Sequence, residues 1–304
     1  MERDQGKANE NERWIDLLQA FEDKYKLLEY EVTFAEGSAE SAEEINNPKS
    51  TGHFARSHVL LERGTQRCYI EFERASDETM EPSIRILAAF DGKTSTQLYF
   101  MGKGHEIGSY HKPKGFIGNT SPLDEDSIRY DADIFLCLDI FPGFYNCGRG
   151  ITSSIQNAKK AKIVEKPEGI LEIHFFMEES VKKPHRPGIL PHSEGGPCQT
   201  WRKCVLDMNK SGIIKSIEDY VCFPDDPNEY AHHVLNVQHR QNDKGDWIPV
   251  SAINLIGFLS GKAVRKYEYK DVLYSHFDPE SHINSFRVEF PPDIEILDTR
   301  YDSK

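Results

Sequence analysis

His185, His192 and Cys198 lie close together in this sequence, with Cys204 just beyond, and imidazole and thiolate are the usual donors of a zinc site. Their spacing matches no zinc pattern, and the stretch around them, VKKPHRPGILPHSEGGPCQ, is a loop that can leave its histidines in water. His232, His233 and His239 form a second candidate set. On a strand, adjacent residues point to opposite faces, so His232 and His233 cannot hold one ion, and His233 and His239 stand about 20 Å apart along an extended chain. The six cysteines, Cys68, Cys137, Cys147, Cys198, Cys204 and Cys222, include no C-x-x-C pair, and their even number permits disulfides without requiring them. No G-x-S-x-G elbow, P-loop or H-E-x-x-H occurs, and MGKGHEIG and NCGRGI lack the strand-to-helix setting of a dinucleotide fingerprint. Carboxylates are abundant, but no pair stands out as a glycosidase acid and base. No catalytic residue, metal site or cofactor site is therefore assigned, and the expectation is a protein that is not an enzyme and carries no cofactor.

Charge narrows the partners. The chain has 37 basic and 50 acidic residues, a net charge of -13, which argues against nucleic acid or an anionic membrane surface. Lys159, Lys160 and Lys162 read as a solvated face. With 38% hydrophobic and 29% charged residues the composition is that of a soluble globular protein. No apolar run reaches the ~18 residues of a spanning helix, and FLCLDIF is cut short by Pro142, so no transmembrane segment is expected. The opening residues lack the cationic and apolar regions of a signal peptide. This implies a cytoplasmic location if Met1 is the native start, and a periplasmic or cell-envelope one if a leader has been removed.

The elements that must position any site follow from period. After a flexible leader at 1–10, NERWIDLLQAFEDKYKLL places Trp14, Leu17, Leu18, Phe21, Tyr25 and Leu28 at helical spacing, which predicts an amphipathic helix over 11–28. Residues 36–52 are small, acidic and turn-rich and read as an exposed loop. Beyond them the period becomes two. Hairpins are expected about residues 63–66, about Asp91-Gly92 as a type I′ turn, about 209–212 and about 242–245, with further strands at 105–111, 161–166 and 170–178. This makes ten to twelve antiparallel strands in a meander. Two insertions interrupt it: 131–160, read as short helices covering the sheet, and the Pro-rich excursion at 181–199. The chain ends on FRVEFPPDIEILDTRY, two alternating segments split by Pro291 and Pro292.

The helix with WIDLLQAFEDKYKLLEYEVTF, the hairpin with FDGKTSTQLYF, the pair TWRKCVLDMNKSGIIKSIEDYV, the later WIPVSAINLIG and the FRVEFPPDIEILDTRY ending resemble, in that order, the LolA-like outer-membrane lipoprotein-sorting family. The nearest likeness is to its divergent, longer planctomycete-type members, whose C-terminus reads strand, Pro-containing turn and short strand with an Asp before a final Tyr. Here these would be 286–290, Pro291-Pro292, and 294–298 followed by Tyr301. The resemblance spans nearly the whole chain and implies a mainly β (α+β) fold: a curved antiparallel meander forming an incomplete half-barrel, its concave face covered by an N-terminal helix and short helices. Residues 11–304 would form this single domain. It also implies an apolar cavity, which in the characterised carriers takes acyl chains of lipoproteins, whereas other members sense lipoproteins in envelope stress. The sequence departs from the carriers in its length, in the 181–199 excursion and in the absence of a visible leader. The carriers' recognition arginine matches Arg56, Arg67 or Arg85 equally.

A sheet of this many strands must curl, and its concave face must be filled by the protein or by a ligand. Ile70, Phe72, Ile84, Ile86, Leu98, Phe100, Ile173 and Phe175 are the candidates for that face, either as core or as an apolar pocket with 131–160 as its lid. The expected function is a non-enzymatic envelope protein that binds an acyl chain, lipid or lipoprotein. An alternative on the same fold is a regulatory or scaffolding module that binds an envelope protein. A hydrolase acting on glycans or lipids ranks third.

Overall fold

The structure is a computed structural model of the chain and describes residues 3–39, 44–46, 49–65, 67–75, 82–101, 113–121, 139–158, 160–176, 199–222, 229–256, 262–275 and 286–300. Helix α1 (Arg3–Glu22) begins well before residue 11 and ends sooner than the periodicity predicts. Most of the expected leader is thus helical. Leu28, expected to close the helix, instead starts a period-two series of buried residues, Leu28, Tyr30, Val32 and Phe34, in strand β1 (Leu27–Ala39). Alternation beginning at Leu28 wins over the helical spacing because each of these side chains reaches the core only from an extended backbone. Trp14 and Leu18, four apart, carry the buried stripe of α1, while Leu17 points outward.

Among the described residues the strands are β1, β2 (Lys49–Glu62), β3 (Cys68–Ala75), β4 (Pro82–Phe90), β5 (Ser95–Met101), β6 (Lys114–Gly118), β7 (Ala161–Lys166), β8 (Ile170–Phe176), β9 (Gln199–Asp207), β10 (Ile213–Cys222), β11 (Glu229–Gln241), β12 (Trp247–Ile256), β13 (Lys262–Ser275) and β14 (Glu295–Asp298). They form one sheet in the order β14-β6-β5-β4-β3-β2-β1-β13-β12-β11-β10-β9-β8-β7. Two meanders, β1 to β6 and β7 to β13, are joined where β1 pairs with β13, and all neighbours are antiparallel except β14 with β6. The sheet is curved and its outer strands, β14 and β7, do not pair, so it stays an open half-barrel.

The curl can be read from one short segment. A turn at Pro142–Phe144 leads into α2 (Tyr145–Gly148) and α3 (Ile151–Asn157), which lie on one face of the sheet as expected for this insertion. The Tyr145 ring stacks on Phe175 of β8 at 5.9 Å, while the Gly148 carbonyl accepts a hydrogen bond from Gly64 N–H, in the turn after β2, at 3.1 Å. β2 and β8 are seven places apart in the sheet, about 34 Å if it were flat, yet a helix of this length rises only about 5 Å between Tyr145 and Gly148. The sheet therefore wraps around its helices. β6 and β7 lie toward opposite margins, so the connection between them must span the sheet, and its described part, residues 139–158, lies on the concave face.

Several expectations change. Within 36–52, residues 36–39 and 49–52 are strand, with β1 running to a buried Ala39 and β2 starting at Lys49. The β4–β5 connection is a four-residue loop in which only Gly92 has positive φ, at 93°, and the Asp91 carboxylate accepts the N–H groups of Lys93 and Thr94. This is an Asx-type turn in place of type I′, which would need both central residues at positive φ. The 105–111 strand, residues 131–138, and 177–198 with His185, His192 and Cys198 lie outside the described residues.

Residues 286–290 alternate in burial as expected, with Phe286 and Val288 buried, but they are not laddered into the sheet. Val288 donates its N–H to the Thr96 hydroxyl, and Val288 and Phe290 pack on the convex face with Leu98, Phe100 and Leu87. After the prolines β14 runs parallel to β6 and covers that margin. A Cβ at Gly115 on β6 would sit 2.8 Å from the Phe290 ring and 3.2 Å from Ile294. Gly115→Val is therefore expected to lift this strap at a cost of about 1–3 kcal/mol. Limited proteolysis should then release the C-terminus sooner than in wild type, and an unchanged cleavage rate would show that the strap does not depend on this contact.

Candidate functional site

The concave face is the candidate site. Ile70, Phe72, Ile84, Ile86, Ile173 and Phe175 all lie on it, in one cluster with α1, Ile140, Phe141, Phe144, Tyr145, Ile151 and Ile155. Leu98 and Phe100 do not. In the β4–β5 register Leu98 faces Leu87 and Phe100 faces Arg85, which belong to the convex face, and both pack under the C-terminal strap. The inward parity of β5 is the opposite of the expected one, because LYFM offers an apolar residue at every position and only the partner strand decides which ones point inward.

On the concave face the helices fill the space. Ile70, Phe72, Ile86, Ile173 and Phe175 are each at most 8% exposed. At the rim formed by the short turns lies a cavity of about 70 Å³ between roof and sheet, lined by Phe21, Phe141, Phe144, Trp247 and Tyr274 among others. Ligand pockets usually run to roughly 300–1,000 Å³, so this one marks a seam that an acyl chain could enter only if the roof moved.

Polar groups pin the roof. Arg202 on β9 makes a two-pronged pair with Asp219 on β10, at 2.6 and 3.0 Å, and also reaches Asp139 at the start of the roof, at 2.9 Å. Asp139 in turn accepts the Asn146 N–H, and Tyr145 OH stands 3.4 Å from Arg202 and 3.5 Å from the Cys204 thiol. His233 on β11 completes the group, its Nδ1 3.2 Å from Asp219. Burial pushes the Asp219 pKa up, but His233 and Arg202 together outweigh it and hold it well below the usual carboxylate range. For Asp139 burial prevails over Arg202 and the Asn146 N–H, and its pKa is raised. Burial takes the Cys204 thiol up to about 12, so it is no nucleophile. A guanidinium sits among these carboxylates where a metal would, and among the described residues no three His, Cys, Asp or Glu side chains converge on a metal position.

A second tie joins α1 to α3. The Glu22 carboxylate caps α3 by accepting the Thr152 N–H at 2.7 Å and the Thr152 hydroxyl at 2.9 Å, and Gly150, at φ 86°, leaves room for it. Burial raises the Glu22 pKa above its ordinary 4.5, against the opposing effect of these bonds and Arg63. As pH rises past 4.5 the unfolded chain gives up this proton before the folded one, so the folded state loses stability across that window. Glu22→Gln keeps the acceptor and removes the charge. It is expected to flatten the pH dependence above 4.5 without lowering stability at neutral pH, whereas Glu22→Ala, which orphans the Thr152 donors, costs about 1–3 kcal/mol. Urea denaturation at a series of pH values reads both, and a wild-type slope in the Gln variant would clear Glu22 of the effect.

Of the polar residues here the sequence marks only His233 and Cys204, each as a member of a candidate metal set, and it marks neither Arg202, Asp219, Asp139 nor Glu22. A signal existed for one pair: Arg202 and Asp219 both fall at core parity, and a hairpin centred on 209–212 sets them opposite each other with unlike charge. Nothing local marked Asp139 or Glu22, whose partners are distant in the chain.

No family model and no curated protein matches this sequence. Among solved structures, the chain is similar to one described as an outer membrane lipoprotein-sorting protein domain from Vibrio parahaemolyticus, at 8% identity over 89% of this chain and 96% of that one, with a TM-score of 0.39. It is also similar to a DUF1329 family protein from Desulfovibrio piger, at 7% identity over 90% and 97% of the two chains, with a TM-score of 0.41. The open, curved antiparallel sheet with helices on its concave face agrees with the incomplete half-barrel that the sequence resemblance implied. Similarity of this degree carries nothing about ligand or mechanism.

Proposed function

We propose that this protein is a non-enzymatic binding protein of the cell envelope, and that its half-barrel takes up an acyl chain of a lipid or lipoprotein between the sheet and its helical roof. The observation that supports the reading is the make-up of the concave face. Away from its polar rim it is apolar from β2 to β10, and among the described residues what covers it is α1 and a few short helices of one crossing connection. Such a roof is tied to the sheet at a few polar points and can part from it along the Phe21–Phe144–Tyr274 seam. Among the described residues no helix is long and apolar enough to cross a membrane.

Native mass spectrometry with solvent extraction, on protein purified without detergent from a bacterial host, tests this directly. The expected result is a bound species of lipid mass at near-stoichiometric occupancy. A clean apo mass that does not change on incubation with acylated lipid overturns the reading. The protein-interaction alternative would then lead, with a stoichiometric protein partner in a pull-down from envelope extract as its mark.

A further inference from the structure

Above the apolar part of the concave face, toward the rim where the longer connections leave the sheet, a belt of polar side chains crosses it. Arg202 (β9), Asp219 (β10) and His233 (β11) face one another directly, as do Asn254 (β12), Arg265 (β13) and Glu36 (β1). His233 and Asn254 link the two rows as diagonal neighbours, about 7–8 Å apart. The outer members are satisfied: Arg202 by Asp139 and Asp219, and Arg265 by Glu36 at 2.7 Å. The centre is not. Among the described residues Asn254, 0% exposed, has no hydrogen-bond partner for its carbonyl oxygen or its amide nitrogen, and His233, 6% exposed, turns Nδ1 to Asp219 at 3.2 Å and leaves Nε2 without a partner. A buried amide with both ends unmet is costly to a fold, and an apolar residue of the same shape would avoid that cost.

We infer that Asn254 and His233 form a polar subsite for the neutral, hydrogen-bonding head group of the ligand, of amide or ester type, whose alkyl chain lies along the adjoining apolar face. The inference rests on the acyl-chain reading above. Asn254 presents one acceptor and one donor side by side, the complement of a carboxamide, and half of that complement serves an ester carbonyl. The local charge excludes a phosphate. Among the described residues two guanidiniums, Arg202 and Arg265, already face three carboxylates, Asp139, Asp219 and Glu36, so an anion would meet no spare positive charge from them. The apolar residues continue directly below the belt, at Leu235, Ala252, Tyr267 and Phe34, so head and chain are accommodated on one continuous surface.

The test is competition. The full chain is loaded with the fluorescent apolar probe N-phenyl-1-naphthylamine, which is displaced by dodecanamide, dodecyl phosphate or dodecane, in wild type and in Asn254→Leu. Wild type is expected to prefer dodecanamide over dodecane by about tenfold or more, the penalty for leaving one buried polar group unmet, and to disfavour dodecyl phosphate. In Asn254→Leu the preference for the amide should fall toward unity. Thermal melting supplies the second measurement: the subsite predicts that Asn254→Leu melts at or above the wild-type temperature, because it removes an unmet amide. A variant that melts well below wild type, or fails to fold, overturns the subsite by showing that Asn254 serves the fold. Equal affinity of wild type for amide and dodecane, or the same ratio in both proteins, overturns it while leaving acyl-chain binding intact. Phosphate preference overturns the neutral head group. Failure of the naphthylamine and all three ligands to bind overturns the acyl-chain reading itself.

Discussion

Arg202→Met is expected to destabilise the protein by about 3–5 kcal/mol, a large share of the 5–15 kcal/mol that holds a typical fold together. Asp219 owes its low pKa to His233 and Arg202 acting against burial, and Asp139 is held by Arg202 and one backbone N–H. Removing the guanidinium leaves two largely buried carboxylates without their shared counter-charge. The loss should also depend on pH. In wild type Asp219 stabilises the fold above the ordinary carboxylate pKa, and this contribution is lost only as pH falls toward its depressed folded value. In Arg202→Met both carboxylates are easier to protonate folded than unfolded, so stability should fall as pH rises from about 4 to 7, the reverse of wild type in this respect. A double variant, Arg202→Met with Asp219→Asn, should recover part of the loss, since replacing a whole buried pair costs far less than breaking it. Equilibrium urea unfolding of the three proteins at acid and neutral pH decides the matter. Near-wild-type stability of Arg202→Met at neutral pH would mean that the roof is not anchored here.

The second large effect contrasts the two faces of the sheet. Ile173→Asp places a charge at a fully buried position beneath the roof, and the expected penalty exceeds about 4 kcal/mol, enough to leave the chain unfolded or loosely packed. Phe100→Asp acts on the convex face, where the ring is partly buried beside Leu98 and Phe290 and beneath the Arg85 guanidinium, 5.9 Å from the ring centre. There the expected loss is about 1–2 kcal/mol, the transfer value of a half-buried aromatic side chain, and the new carboxylate gains Arg85 as a neighbour. Circular dichroism melts read the difference. Equal destabilisation by the two substitutions would place Phe100 on the same face as Ile173, contrary to the β4–β5 register.

The site was only partly legible in advance, and residues show why. Ile173 and Phe175 could be placed because β8 alternates from Leu171 to Phe175, with Glu172 and His174 turned away. Leu98 and Phe100 could not, because β5 is apolar at adjacent positions and its partner decides the inward parity. Asn254 sits in SAINLIG, where its parity with Ala252 marks it as inward, but a buried amide without a partner is visible only once every neighbour is in place. Glu22 looked like the polar side of a helix. It is a helix cap for a segment far along the chain, and no period could have said so.

What the sequence determined by itself is everything carried by short-range pattern. The two-residue alternation from Leu28 onward, the turns at 63–66, 91–94, 209–212 and 242–245, and the dense apolar run near Ile140 were enough to specify an antiparallel meander with helices laid upon it, because strand period and turn chemistry act within a few residues. Where α1 ends, which face of β5 is inside, that β1 joins two meanders by pairing with β13, and that β14 runs parallel to β6 are decisions of the tertiary structure. Each depends on burial against residues far away in the chain. The curl that brings β2 and β8 to the two ends of one short helix does too, and with it the closeness of Arg202, Asp139 and His233 on which the site depends, since buried charges find their partners only after the surfaces that exclude water have met.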